Sequence, residues 1–375
     1  MADEVFRNDG YLSEFEAGVV SVNGDEVVLD CTGFYPGGGG QVCDTGTVNG
    51  IPVTDVHYKG DEIIHIIPKN DLKPGQRVWC SIDWDRRFDL MMGHTAEHLL
   101  FCSLHRLDPE LEVVKISISP EDKYVVLNHD VPWSLVGEAV RYANDRIADN
   151  LPVRKTVMDR NDPDMSKVRI KLERIPEGEE ITVVNIGDID YSACSGVHVM
   201  ETSEIEMIFV DRKVSQGKTG TAVHFKVGKA ARDAAAELAV TCLQVIEECA
   251  SKPEDIIRTV GNMKKDLSLA AEASKQASKR ALAEIVPTEV KGVKFYTGVF
   301  PGADRKLMAE TAEKHAAEGA VCILISTADT ASAVVSSGNQ SVDAKTVLSK
   351  GLEAFGGRGG GKPGMAQGGF PDVSR

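Results

Sequence analysis

No stretch of this chain approaches the roughly 18 consecutive apolar residues that a helix needs to cross a bilayer. The opening Met1-Ala2-Asp3-Glu4 has neither the basic nor the apolar section of a secretion signal. The sequence therefore reads as cytoplasmic. Cysteine is present without pattern: eight residues scattered over 375, with no framework spacing, are expected to stay reduced. An excess of cations is missing too. A formal net charge of −15 excludes a general affinity for nucleic acid, because phosphate contacts need clustered Lys and Arg. A nucleic-acid partner has to be held by local patches. What is present is ordinary for a globular chain, 42% hydrophobic and 26% charged residues. That length suggests about two to four domains and a sizeable core.

The predicted fold class is α+β. Residues 1–84 read as a small β-barrel: residues 19–30 alternate around Asn23-Gly24, and Asn49-Gly50 and Lys59-Gly60-Asp61 punctuate further short apolar runs. Inside this segment lies Thr32-Gly33-Phe34-Tyr35-Pro36-Gly37-Gly38-Gly39-Gly40-Gln41. Its four consecutive glycines permit a backbone that other residues do not tolerate and let a ligand approach closely. Residues 85–228 read as an α+β domain, with a helix capped by Asp83 or Asp85 that runs to about His105, and a second helix from about Trp133 begun by Pro132.

Residues 229–286 are rich in Ala, Lys and Glu and are broken once near Pro253. Ile256, Val260, Met263, Leu267 and Ala270 alternate spacings of four and three, which predicts a packed seam, an αα-hairpin linking domains and a possible homodimer contact. Residues 287–375 are α/β in pattern, with a strand at Val321 to Ile325 and a tail, Gly356-Gly357-Arg358-Gly359-Gly360-Gly361-Lys362-Pro363. Its backbone amides and its cations Arg358 and Lys362 suit phosphates.

The chemistry concentrates in two places. In His94-Thr95-Ala96-Glu97-His98, two imidazoles four apart share one helical face. Cys194 and His198 repeat that spacing after an apolar stretch, and a thiolate with imidazoles suits zinc. The first motif also fits the H-x-x-E-H pattern of inverted zinc peptidases, with Glu97 as general base. That reading leaves the glycine loop, the Cys194 and His198 pair and the last domain unexplained. A third possibility is a tRNA-binding module with a structural zinc.

HTAEHLL, the later CSGVHV and the early FYPGGGGQ resemble the editing domain of alanyl-tRNA synthetase and its free-standing relatives, the AlaX proteins. The closing GGRGGGKPGMAQGG resembles the synthetases' C-terminal domain, so helical linker plus this domain is similar to the long form of AlaX. With no room before residue 1 for an aminoacylation core, the resemblance implies an editor without a synthetase. It also implies a hydrolase that deacylates Ser-tRNA(Ala), and Gly-tRNA(Ala) with it, while sparing Ala-tRNA(Ala). Carried over by motif, the zinc ligands fall on His94, His98, Cys194 and His198. The aminoacyl contact falls on Thr32, Gly37, Gly38, Gly39, Gly40 and Gln41, with Thr32 assigned to the serine hydroxyl. Contacts to alanine tRNA are expected at Arg86, Arg87, Arg358 and Lys362, with Arg212, Lys213, Lys218 and Lys226 as further local cations. The family usually reads CGGTHV, so Ser195 and Val197 are departures beside the ligands. The pattern does not say which group activates water.

Overall fold

The structure is a computed structural model that describes residues 2–170, 181–327 and 330–371. Two compact units emerge, Met1–Cys242 and Leu243–Arg375.

The first unit opens with β1 (Asp3–Glu4), β2 (Glu14–Asn23), β3 (Glu26–Leu29), β4 (Cys31–Thr32), β5 (Gly46–Val48), β6 (Ile51–Val53), β7 (Asp55–Lys59), β8 (Glu62–Ile66) and β9 (Arg77–Ile82). Seven of these form one antiparallel sheet in the order β6-β5-β9-β2-β3-β8-β7, a nearly closed barrel. The turns follow from local chemistry. Asn49 and Gly50 both have positive φ, as a two-residue hairpin between Val48 and Ile51 demands. The first hairpin differs from the sequence expectation: Asn23 pairs with Glu26, so the turn is Gly24-Asp25 and only Gly24 has positive φ.

Asp83 caps α1 (Trp84–Leu107) by accepting the amide of Arg86 at 3.2 Å. From Gly93 to Phe101 every residue of α1 is buried. A helix buried all round must be surrounded, and this one is. It packs on α2 (Trp133–Ala148) and on the sheet formed by β10 (Val113–Ile118), β11 (Lys123–Leu127), β16 (Thr221–Val227) and β15 (Ile208–Ser215), in that order. A second sheet of β12 (Val153–Met158), β13 (Ile181–Ile186) and β14 (Asp190–Ala193) delivers the chain to Cys194. One continuous apolar core runs from Phe6 through Leu90, Leu99 and Phe101 to Val227, so barrel and second layer are not separable by packing. α3 (Gly228–Glu248) leaves this unit.

The second unit contains α4 (Ile256–Ala283) and a six-stranded sheet in the order β17-β18-β19-β20-β22-β21. Its strands are β17 (Thr288–Val290), β18 (Val293–Val299), β19 (Val321–Thr327), β20 (Ala331–Ser337), β21 (Arg358–Lys362) and β22 (Met365–Phe370). Among the described strands of this sheet only β18 and β19 pair in parallel, joined by α5 (Arg305–Ala317). Alternate residues of the sheet feed two cores, one holding Cys322, Leu324 and Val334 beneath α5, the other Ala333, Val335 and Ala366 beneath α6 (Ala344–Phe355).

Two expectations change here. The expected packed seam on α4 is uncovered, with Val260, Met263 and Leu267 exposed, because period alone cannot say whether a partner is present. The glycine-rich tail is an edge strand, its register with β22 set by the pairs Arg358 with Gly369 and Lys362 with Met365. Four residues apart on one strand, Arg358 and Lys362 share a face.

Candidate metal centre

Four side chains converge between α1 and the segment after β14. His94, His98, Cys194 and His198 each offer one donor atom, and these atoms lie within 4.8 Å of one another. The Cys194 sulfur is 3.4 Å from Nε2 of His94 and 3.3 Å from Nε2 of His198. In a tetrahedral zinc site with bonds near 2.1 and 2.3 Å, the edge between nitrogen and sulfur is about 3.6 Å. The observed spacing therefore fits a metal of that size.

The second atoms of the three imidazoles explain why the donors point inward. Nδ1 of His94 donates to Oε1 of Gln41 at 2.7 Å, and Nδ1 of His98 faces Oδ2 of Asp190 at 3.3 Å. Nδ1 of His198 lies 3.1 Å from Oγ1 of Thr95, whose own proton goes to the carbonyl of Met91 at 2.9 Å. With these acceptors each Nδ1 can donate its proton and leave Nε2 to face the cluster, and outer partners of this kind orient metal ligands.

Electrostatics agree with a ligand set at Cys194 and His198, whereas His98 holds a proton that a bound metal would have to displace. Burial alone would raise the Cys194 thiol, but His94 and His198 beside it hold it well below the usual thiol range. Burial, with His94 adjacent, pushes the His198 imidazole down to about 3. Burial also works against charge on His98, yet Asp190 and Cys194 lift it to about 10.

The glycine loop supplies Gln41. Gly37, Gly38, Gly39 and Gly40 all have positive φ, and a Cβ on Gly40 would meet the carbonyl oxygen of Ile116 at 2.6 Å. Without that side chain the loop docks on β10, where the Ile118 amide donates to Gly40 at 2.8 Å. Gly196 has a similar reason: a Cβ there would lie 2.3 Å from Cε1 of His94. The cluster opens on a cavity of about 280 Å³ whose lining includes Gly39, Glu97, Ile116, Arg169, Ser192 and Ser195. A larger cavity of about 680 Å³, lined by Phe101, His105 and Tyr191 among others, shares Arg169 and Ala193 with it.

Three family models match the chain: tRNA synthetases class II (A) over residues 8–86, the threonyl and alanyl tRNA synthetase second additional domain over residues 181–220, and the DHHA1 domain over residues 292–375. The alanyl-tRNA editing protein AlaX-M of Saccharolobus solfataricus is 34% identical over 239 residues, which cover 60% of this chain and 99% of that protein. The chain belongs to the AlaX family. The AlaX-L editing protein of Pyrococcus horikoshii is 34% identical over 244 residues, 61% of this chain and 58% of that protein. An alanine–tRNA ligase of Ignicoccus hospitalis is 30% identical over 305 residues, 78% of this chain and 33% of that one. The chain thus spans a third of one of these two relatives and less than two thirds of the other.

The four expected ligand positions lie together, and the peptidase reading leaves Cys194 and His198 unexplained. Other expected residues sit elsewhere. Gly39 lines the cavity; Gln41 reaches the site through His94. Thr32 is fully buried in the barrel, where its hydroxyl meets Nε2 of His65 at 2.8 Å and accepts the amide of Phe34 at 3.1 Å, so it is not among the residues lining the cavity. Arg87 is corrected. It is fully buried, paired with Asp44, and donates to the carbonyl oxygens of Gly10 and Gly33, which leaves no surface for a phosphate. Arg86 is half-buried and holds the carbonyl of Cys43. Arg212 and Lys213 are engaged with Asp122 and Asp130. Arg358 and Lys362 are exposed. Val197 belongs to the core, whereas Ser195 lines the cavity, so only one of the two departures alters the site. Thr95, Asp190 and Arg169 were missed. Asp190 and Cys194 are four apart across a strand end, a spacing with no signature before the fold is known.

Proposed function

We propose that this chain is a cytoplasmic aminoacyl-tRNA hydrolase that removes serine, and glycine with it, from alanine tRNA and spares Ala-tRNA(Ala), with zinc held by His94, His98, Cys194 and His198. The observation that carries this reading is the convergence of those four donors on a cavity sized for an aminoacyl group. Zinc, when bound, supplies a Lewis acid that lowers the pKa of water and polarises a carbonyl.

The chain's own residues do the rest. Gln41, Asp190 and Thr95 hold the imidazoles in one tautomer, and Arg169 and Ser192 give the cavity a polar wall. In the hydrolysis, a water oxygen bonds to the ester carbonyl carbon, the bond from that carbon to the ribose oxygen breaks, and the ribose oxygen takes up a proton. Serine and free tRNA are the products. The need for such a step is physical: an alanine pocket cannot exclude glycine and rejects an added hydroxyl by only ~100-fold, whereas a site that hydrogen-bonds the hydroxyl discriminates by ~10⁴. With Thr32 committed to His65, we assign that bond to the polar lining rather than to Thr32.

Alanine tRNA is the proposed partner, with Arg358 and Lys362 on the edge strand β21 meeting its phosphates and the uncovered face within residues 229–286 serving a homodimer. We propose domain limits at 84, 228 and 286, the first of them lying inside one packed unit.

Deacylation of Ser-, Gly- and Ala-tRNA(Ala) by wild type and by His98→Ala, with zinc content recorded, tests the reading. Loss of the serine ester only with the zinc-loaded wild type, and survival of the alanine ester, is expected. Esters that survive while tRNA binds would leave the closed, four-ligand cluster as a structural metal in a binding module.

A further inference from the structure

Glu97 stands next to His98 on α1 and is fully buried, yet neither oxygen of its carboxylate has a hydrogen-bond partner among the described residues. Glu97 is one of the residues around the cavity. A buried carboxylate left unpaired is among the costliest arrangements a protein can keep, and native structures retain one where a partner arrives from outside. Among the described residues the surrounding groups do not supply that partner. Arg169 is bound to Ser192 at 2.6 Å and lies 3.5 Å from Asp190. Gln41 accepts from His94 at Oε1 while its Nε2 is itself buried without a partner among the described residues, and Asp190 faces His98 while accepting from Ser192 at 2.8 Å. Nor is Glu97 one of the residues whose donor atoms form the metal cluster.

We infer that Glu97 receives the α-ammonium group of the aminoacyl ester and thereby restricts the site to esters whose amine is free. This rests on the hydrolase reading. An ammonium offers three donors in a compact cation, and two carboxylate oxygens with nothing else to accept are the complement of that group. The ammonium is one carbon from the scissile carbonyl, so a carboxylate beside His98 fixes the carbonyl against the cluster. N-acylation removes the cation and leaves Glu97 buried and unpaired, so peptidyl-tRNA and other N-blocked esters are rejected by chemistry as well as by size.

The test compares kcat/KM for Ser-tRNA(Ala) and N-acetyl-Ser-tRNA(Ala) in wild type, Glu97→Gln and Glu97→Asp. Zinc content and melting temperature are recorded for each. Binding of alanine tRNA carrying seryl as a 3′-amide, with its amine free or acetylated, covers any variant too slow to assay. Wild type is expected to prefer the free amine by about 100-fold, the size of a lost charge-assisted bond. Glu97→Gln should bring that preference to within a few-fold, mostly by losing rate or affinity on the free amine, and Glu97→Asp should restore part of it. A preference unchanged in a folded, zinc-loaded Glu97→Gln overturns the inference, and so does a wild type that treats both esters alike. Lower zinc affinity at constant preference would make Glu97 a counter-charge to the metal and overturn it too. A wild type inactive on both esters refutes the hydrolase reading itself.

Discussion

Thr95 reaches His198 across the site: Oγ1 lies 3.1 Å from the Nδ1 of that imidazole while it gives its own proton to Met91 and accepts the Val199 amide at 3.2 Å. A mid-helix threonine between two histidines thus fixes a ligand that follows it by 103 residues. Thr95→Val keeps the shape and removes the bond. Zinc affinity, read by chelator competition, should fall about 10- to 100-fold, the usual cost of losing an outer partner. Thr95→Ser should retain most of it.

The Arg87 and Asp44 pair predicts a separation of stability from binding. Both side chains are buried, so Arg87→Met strands a carboxylate and should cost about 3–5 kcal/mol. Chemical denaturation measures this, and the fraction that remains folded should bind tRNA as wild type does.

Arg358→Ala and Lys362→Ala, on an exposed edge strand, should behave in the opposite way. Each is expected to leave the melting temperature unchanged, and to weaken tRNA binding while reducing the slope of log affinity against log salt by about 1. An unchanged slope in the double variant would remove β21 from the interface.

His65 gives a pH dependence that can be worked out in sign. Burial lowers its pKa from 6.5 to about 4, so the folded barrel holds it neutral where the unfolded chain binds a proton. Its contribution to stability is complete above pH 6.5 and is lost as pH falls toward 4. Between pH 7.5 and pH 5 this amounts to about 2 kcal/mol. His65→Gln should show a correspondingly smaller drop in urea midpoint over that interval.

What was legible in the sequence is what local chemistry decides. The Asp83 cap, the Asn49-Gly50 hairpin and the spacing of His94 with His98 are fixed by neighbours in the chain, and the structure returns them. Thr32, Arg87 and Asp190 were misread or missed because their partners are His65, Asp44 and His98, none of them local. Four glycines in a row announce unusual backbone. That their use is to seat Gln41 against His94 depends on β10 (Val113–Ile118), far downstream in the chain.

The cluster draws on residues 41, 94, 95, 98, 190, 194 and 198. Because synthesis proceeds from the amino terminus, a growing chain presents the residues of the barrel and of α1 long before Cys194 and His198 exist. Two histidines alone make a poor hold for a divalent ion. The proposed four-ligand site therefore cannot be complete until residue 198 has been made. Uptake of the proposed metal would then be a clock for folding, readable during synthesis on the ribosome.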